Sequence, residues 1–109
     1  MLSKINRLSR KKDFDNVFKN GKSVKGEFLF FKIEPNKLNH SRFGFVVSKK
    51  VSNKAVVRNK IKRQLSSIVF ANLKNLKNNY DVVVVVYPQV TRKEFKDIES
   101  ATLKLMDTI

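Results

Sequence analysis

The chain has 109 residues, 41% of them apolar, with nine Phe, no Trp and no Cys. That length suits one domain, 1–109, with a modest core, the apolar share excludes wholesale disorder, and the lack of Cys removes disulfides, thiolate nucleophiles and cysteine-based zinc sites. A formal charge of +15, from 24 Lys and Arg against nine Asp and Glu, makes a surface that repels itself and calls for a polyanion, so nucleic acid is the default partner.

The opening, MLSKINRLSRKKDF, has no apolar run of signal-peptide length. Elsewhere the longest such run, 82–87, has the size of a buried strand and not of a membrane span. The expectation is a cytoplasmic protein with no membrane contact. Residues 1–9, with Lys4 and Arg7 and little to bury, read as an extended basic arm. A helix follows over 10–20, with Ser9 as its cap and Gly21 placed where a helix end favours positive φ. Its Phe14, Val17 and Phe18 form one apolar stripe between Arg10, Lys11, Lys12 and Lys19. Two readings of Phe14 and Phe18 are open. Packing on a sheet is the commoner fate of aromatics at this spacing; the other reading has the rings border a groove and stack on unpaired bases.

Residues 23–35 read as a strand, apolar on both faces through Glu27-Phe28-Leu29-Phe30-Phe31-Lys32-Ile33. Phe28 and Phe30 share one face, and Leu29, Phe31 and Ile33 the other. A polar loop, 35–41, holds His40, the only histidine, which is a poor candidate for a ligand or general base. The next strand, 42–48, is expected to pair antiparallel with the first, with Gly44 marking a bulge or a close approach.

The stretch VSKKVSNKAVVRNKIKR then turns the chain and opens a helix running to about 72, capped by Ser52 or Asn53. Val57, Ile61, Leu65 and Ile68 keep helical spacing beneath it. Lys49, Lys50, Lys54, Arg58, Lys60, Lys62 and Arg63, with Asn59, occupy the turn and the exposed arc of the first turns. Cations crowded at a helix N-terminus are disfavoured by the dipole and by one another, and a bound phosphate would reverse both effects.

After a Lys- and Asn-rich connection, YDVVVVVY (80–87) is the clearest strand, and its unbroken valines suit a central position. Pro88 ends it. Thr91 and Glu94 have capping-box spacing and open a last helix, 92–108, whose Phe95, Ile98, Leu103 and Met106 face inward. The order helix, strand, strand, helix, strand, helix gives a compact α+β domain with one mixed sheet and a βαβ unit, which by rule is right-handed.

VSKKVSNKAVVRNKIKRQL resembles the signature of the bacterial ribonuclease P protein subunit, a strand ending V-S-K-K and a helix carrying A-V-x-R-N-x-x-K-R. INRLSRKKDFDNVFKNG resembles that family's R-L-x-x-x-x-D-F-x-x-V-F-x-x-G opening, and RFGFVVSKK and DVVVVV extend the likeness over nearly the whole chain. The resemblance implies a protein that binds a catalytic RNA and the single-stranded 5′ leader of precursor tRNA. The RNA carries out Mg²⁺-dependent removal of the leader, and no obligate protein partner is expected. It also implies a left-handed βαβ crossover, against the general rule. By position, Arg58, Asn59, Lys60, Lys62 and Arg63 would face the RNA, Lys49 and Lys50 would touch its backbone, and Phe14, Phe18 and Phe31 would line the leader cleft. Two features depart from the family pattern. Arg63 is followed by Gln64-Leu65-Ser66-Ser67 where many members have K-R-x-x-R-E, and the turn after V-S-K-K lacks Gly. With no Cys, one isolated His and no carboxylate cluster, the polypeptide lacks the usual groups for RNA hydrolysis, so no catalytic or metal-holding residue is assigned to it. The alternative is a ribosomal or other structural RNA-binding protein.

Overall fold

The computed structural model describes residues 3–109; Met1 and Leu2, the start of the expected arm, lie outside the described residues. Three helices, α1 (Lys11–Asn20), α2 (Ala55–Asn72) and α3 (Phe95–Asp107), accompany four strands, β1 (Lys22–Lys25), β2 (Leu29–Pro35), β3 (Arg42–Val46) and β4 (Tyr80–Val86). Short 3₁₀ turns cover Lys4–Asn6, Leu73–Asn75 and Pro88–Arg92. The strands form one mixed sheet in the order β1-β2-β4-β3, so the α+β class with a single mixed sheet stands. Among the described residues no helix is long and apolar enough to cross a membrane.

Strand β4 is central, as its valines require. It runs antiparallel to β2, with Phe31 opposite Val84, and parallel to β3, with Phe43 opposite Val82. On one face Leu29, Phe31, Phe43, Val82, Val84 and Val86 pack with Ile61, Leu65, Ile68 and Val69 of α2 and Ile98 and Leu105 of α3. On the other, Val83 packs with Val17 of α1 and with Leu8.

Several expectations are corrected. The stretch 23–35 is a hairpin and not one strand. The chain folds back at Gly26, whose N–H donates to the Leu29 carbonyl at 2.8 Å, and β1 pairs antiparallel with β2. The expected antiparallel pairing of 42–48 with 23–35 does not form, because β4 lies between them and takes the one position buried on both sides and paired on both edges. Gly21 has φ −79° and not a positive value; space explains it, since a Cβ there would meet the Val17 carbonyl oxygen at 2.5 Å and that of Ile33 at 2.8 Å. The last helix is capped by Glu94 with Asp97, one turn later than the Thr91 box. Thr91 instead donates to the Pro88 carbonyl in the preceding 3₁₀ turn. Phe95, expected inward, is therefore exposed at the first helical position, and Leu103 is half-buried.

The expected arm is also partly docked. Leu8 is buried and its N–H donates to the Phe43 carbonyl at 2.8 Å, so that Arg7 bridges β3 on the edge away from β4. This bond fixes the hand of the crossover. When an L-residue in a strand running upward points its side chain at the viewer, its N–H and C=O point to the right. Phe43 points toward α2 and bonds Leu8 outward. Seen from α2 with β3 running upward, β4 thus lies to the left, and β3-α2-β4 is left-handed, against the usual rule.

Phe31 is fully buried and meets Phe43 edge-on at 6.5 Å between centroids. Phe31→Ala is therefore expected to cost about 3–5 kcal/mol, whereas Phe18→Ala, at a position 41% exposed, costs clearly less; urea unfolding of the two variants checks the contrast.

Candidate nucleic-acid interface

The sheet face under α1 is built in three cross-strand rows. The first joins Glu34, Asp81 and Arg42, the second Lys32, Val83 and Gly44, and the third Phe30, Val85 and Val46. Alternation along each strand puts these residues on one side of the sheet and Leu29, Phe31, Phe43 and Phe45 on the other.

The first row anchors α1. Arg42 donates Nε to Asp81 Oδ1 at 2.9 Å and Nη2 to Oδ2 at 2.6 Å, and Nη1 reaches Asp13 Oδ2 at 3.5 Å. The hydrogen bond to Asp81 is the main cause raising the Arg42 pKa above its already high ordinary value, with burial opposing it. Asn36 adds a bond to Asp81 at 2.9 Å, and Asn16 of α1 donates to Glu34 at 3.1 Å. At about 100° per residue, Asp13, Asn16 and Asn20 share one flank of α1, Val17 faces down, and Phe14 and Phe18 share the opposite flank. The ion pair therefore tilts the polar flank onto the first row and leaves both Phe rings on the side toward the third.

The second row is covered. Phe14 lies so close over Gly44 that a Cβ there would meet its ring carbons at 2.4 and 2.5 Å, which settles Gly44 as a close approach. The third row remains half-open, since Phe30, Val85 and Val46 are all only partly buried, and Phe30 is extended by Tyr87 at 5.6 Å between ring centroids. Phe31 belongs to the other face and has no exposure. Phe31, expected in the cleft, therefore does not reach the α1 side of the sheet. Phe30, its neighbour in the strand, is the residue that alternation sends there.

A second concavity, of about 670 Å³, wraps around the free edge of β3. Phe14, Phe43, Gly44 and Phe45 supply its apolar part; Lys4 and Arg7 bound it on one side, and Lys62 and Arg63 on the other. Phe14 is thus shared by the open row and the basic groove. Phe18 does not line that groove.

The rest of the basic set divides by location. Val51 is buried and donates its N–H to the Ser48 carbonyl at 3.0 Å, so the turn is pinned through its one apolar residue and Lys49 and Lys50 are exposed. They stand just past Val46, at the end of the sheet where the third row is open. Asn59, Lys60, Lys62 and Arg63 are exposed on α2, but Arg58 is half-buried and donates Nη1 to the Ser52 carbonyl at 2.9 Å. It ties the helix to its entry turn and keeps its remaining donors for a ligand. The expected caps do not act as such. Lys54 is the N-cap, no side chain caps the helix, and its first turn holds no acid; Ser52 Oγ accepts from the Lys54 N–H at 3.1 Å.

Sequence reading missed Lys4 and Arg7 as groove residues, and Phe30 and Tyr87 as the open aromatic pair. The period-two pattern of 29–33 carried the Phe30 signal, but which face lay under α1 depended on β4 being inserted beside β2.

A family model described as Ribonuclease P matches residues 2–109. The ribonuclease P protein component of Syntrophomonas wolfei subsp. wolfei is 37% identical over 106 residues, covering 97% of this chain and 88% of that protein. The corresponding component of Clostridium botulinum (strain 657 / Type Ba4) is 39% identical over 104 residues, covering 94% and 93%. Among solved structures, the RNase P protein from Thermotoga maritima in complex with 1-(4-fluorophenyl)-2-thiourea is similar at TM-score 0.87 and 33% identity, covering 94% of this chain and 99% of that one.

The contact between Phe14 and Gly44 yields a test by double-mutant cycle. Gly44→Ala is expected to destabilise by about 1–3 kcal/mol, the usual cost of overpacking, and to cost clearly less in a Phe14→Leu background. Equal costs in the two backgrounds, read from urea unfolding, contradict the contact.

Proposed function

The chain belongs to the ribonuclease P protein family, and on that footing we propose that it binds the catalytic RNA of the enzyme and the single-stranded 5′ leader of precursor tRNA together. The observation that carries this reading is the position of Phe14, at once the wall of a half-open aromatic row and part of a groove bounded by Lys4, Arg7, Lys62 and Arg63. Aromatic faces stack on any base, and cations beside them follow any backbone. Such a surface accepts leaders of many sequences, which a general tRNA-maturing enzyme requires.

The cations of α2 and its entry turn, Lys49, Lys50, Lys60, Lys62 and Arg63, together with the neutral amide of Asn59, supply the wall toward the catalytic RNA in this reading, with Arg58 holding that wall in place. Phe14, Phe18 and Phe30, with Tyr87, supply the leader cleft. The work is done in the cytoplasm, where precursor tRNA is found.

Among the described residues no three His, Asp or Glu are grouped to hold a metal ion, and Asp13 and Asp81 are turned to Arg42. In this reading the Mg²⁺ ion of the reaction is held mainly by the RNA, and the polypeptide's part is binding and positioning.

Added to its cognate catalytic RNA at low Mg²⁺, the protein is expected to raise affinity for precursor tRNA over mature tRNA. If adding it produces no leader-dependent gain, the proposal fails. In the same assay Phe14→Ala is expected to weaken leader binding and leave the salt slope unchanged, while Arg63→Ala lowers the slope of log affinity against log salt by roughly 0.7 to 0.9 per lost phosphate contact.

A further inference from the structure

Helix α2 carries exposed side chains well past its basic first turns. At about 100° per residue, Val56, Asn59, Lys60, Arg63, Ser67 and Phe70 project within one arc, opposite Leu65 at the centre of the buried face. The arc is about 21 Å long from Val56 to Phe70, at 1.5 Å per residue. Phe70 is 51% exposed and packs in neither core cluster. It stands two turns beyond Arg63 and one turn before Lys74, which is exposed in the 3₁₀ turn Leu73–Asn75.

We propose that Phe70 is a further contact residue for the catalytic RNA, stacking on an unpaired base while Arg63 and Lys74 on either side hold the phosphates. This rests on the reading that the basic face of α2 meets that RNA. Helix α2 has no acidic residue along its whole length, and cations stand before and after the ring, so a second copy of the chain docked here would bring like charges together. A polyanion is favoured throughout. An aromatic ring set among cations is the arrangement by which proteins hold unpaired nucleotides, the ring taking the base and the cations its backbone. Between Arg63 and Phe70 the outer arc carries Ser67 and no charge, so the contact along this part of the helix depends on the ring.

The experiment titrates the cognate catalytic RNA with wild-type protein and with Phe70→Ala, Phe70→Leu and Phe70→Tyr at several salt concentrations. A stacked base contributes a factor of about five to 150. Phe70→Ala and Phe70→Leu are expected to lose affinity in that range with an unchanged salt slope and unchanged Tm, while Phe70→Tyr, which keeps the ring, binds as wild type. Chemical probing of the RNA is expected to find one nucleotide whose base is protected by wild type and Phe70→Tyr and exposed with Phe70→Leu. Equal affinity of Phe70→Leu and wild type overturns the proposal, as does a loss confined to leader-bearing precursor tRNA. Should Phe70→Ala fail to fold, the Leu and Tyr variants decide the matter. Failure of the wild-type protein to bind the catalytic RNA is a different result, one that removes the functional reading itself.

Discussion

Burial of β4 on both faces is the constraint on which the rest of the structure depends. Its seven residues span roughly 23 Å, and its valines point both ways, so each face of the sheet needs a cover. On one side α2, 18 residues and about 27 Å long, and α3, 13 residues and about 20 Å, provide it in full. On the other the one helix is α1, 10 residues and about 15 Å long, joined by Leu8 of the N-terminal segment. A helix is about 10 Å across, and rows two residues apart lie roughly 7 Å from one another. One helix therefore covers the first two of three rows and leaves the third half-open. The aromatic surface of Phe30, Val85, Val46 and Tyr87 is thus a consequence of unequal cover on the two sides of one strand.

What decides which rows are covered is electrostatic. Arg42, held by Asp81 within its own row and reaching Asp13 on α1, draws the polar flank of the helix to that end of the sheet. Asn16 and Glu34 repeat the effect two strands away, on β2. The same contacts shape the field outside. Of the nine acids, Asp13, Glu34 and Asp81 face partners within the fold, and Glu94 and Asp97 close the cap of α3. No acid lies among the residues bounding the groove at the β3 edge, so its cations act without local neutralisation and the potential is focused there.

The elements were legible in the sequence where one period was sustained. Helix α2 and strand β4 came out within two residues of their observed ends, as did α1, because each carries an uninterrupted 3.6 or all-apolar pattern bounded by Gly, Pro or Asn. The hairpin at Gly26 was not, since apolar residues on both sides of the turn mimic one doubly buried strand. Strand order was not legible either. Local pattern shows that β4 is central but not that it separates β2 from β3, and the left-handed crossover came from family resemblance and not from periodicity. Phe31 shows what that costs at the site. An aromatic residue of β2 does stand on the α1 face, but strand alternation makes a one-residue shift equivalent to crossing the sheet, and only the register with Val84 and Val85 assigns the faces.

The VSKKVSNKAVVRNKIKR stretch does two jobs that the sequence alone merges. Val51, Arg58 and Ser52 hold the turn to the helix, and the exposed cations around them are free to meet an anion. Such a division lets the crossover between β3 and β4 remain rigid while presenting charge that no contact within the fold offsets. Placed at the end of the sheet where the third row is open, with Phe14 reaching from that row to the groove beside Lys62 and Arg63, the charged wall and the aromatic floor are adjacent because the same short helix leaves both uncovered.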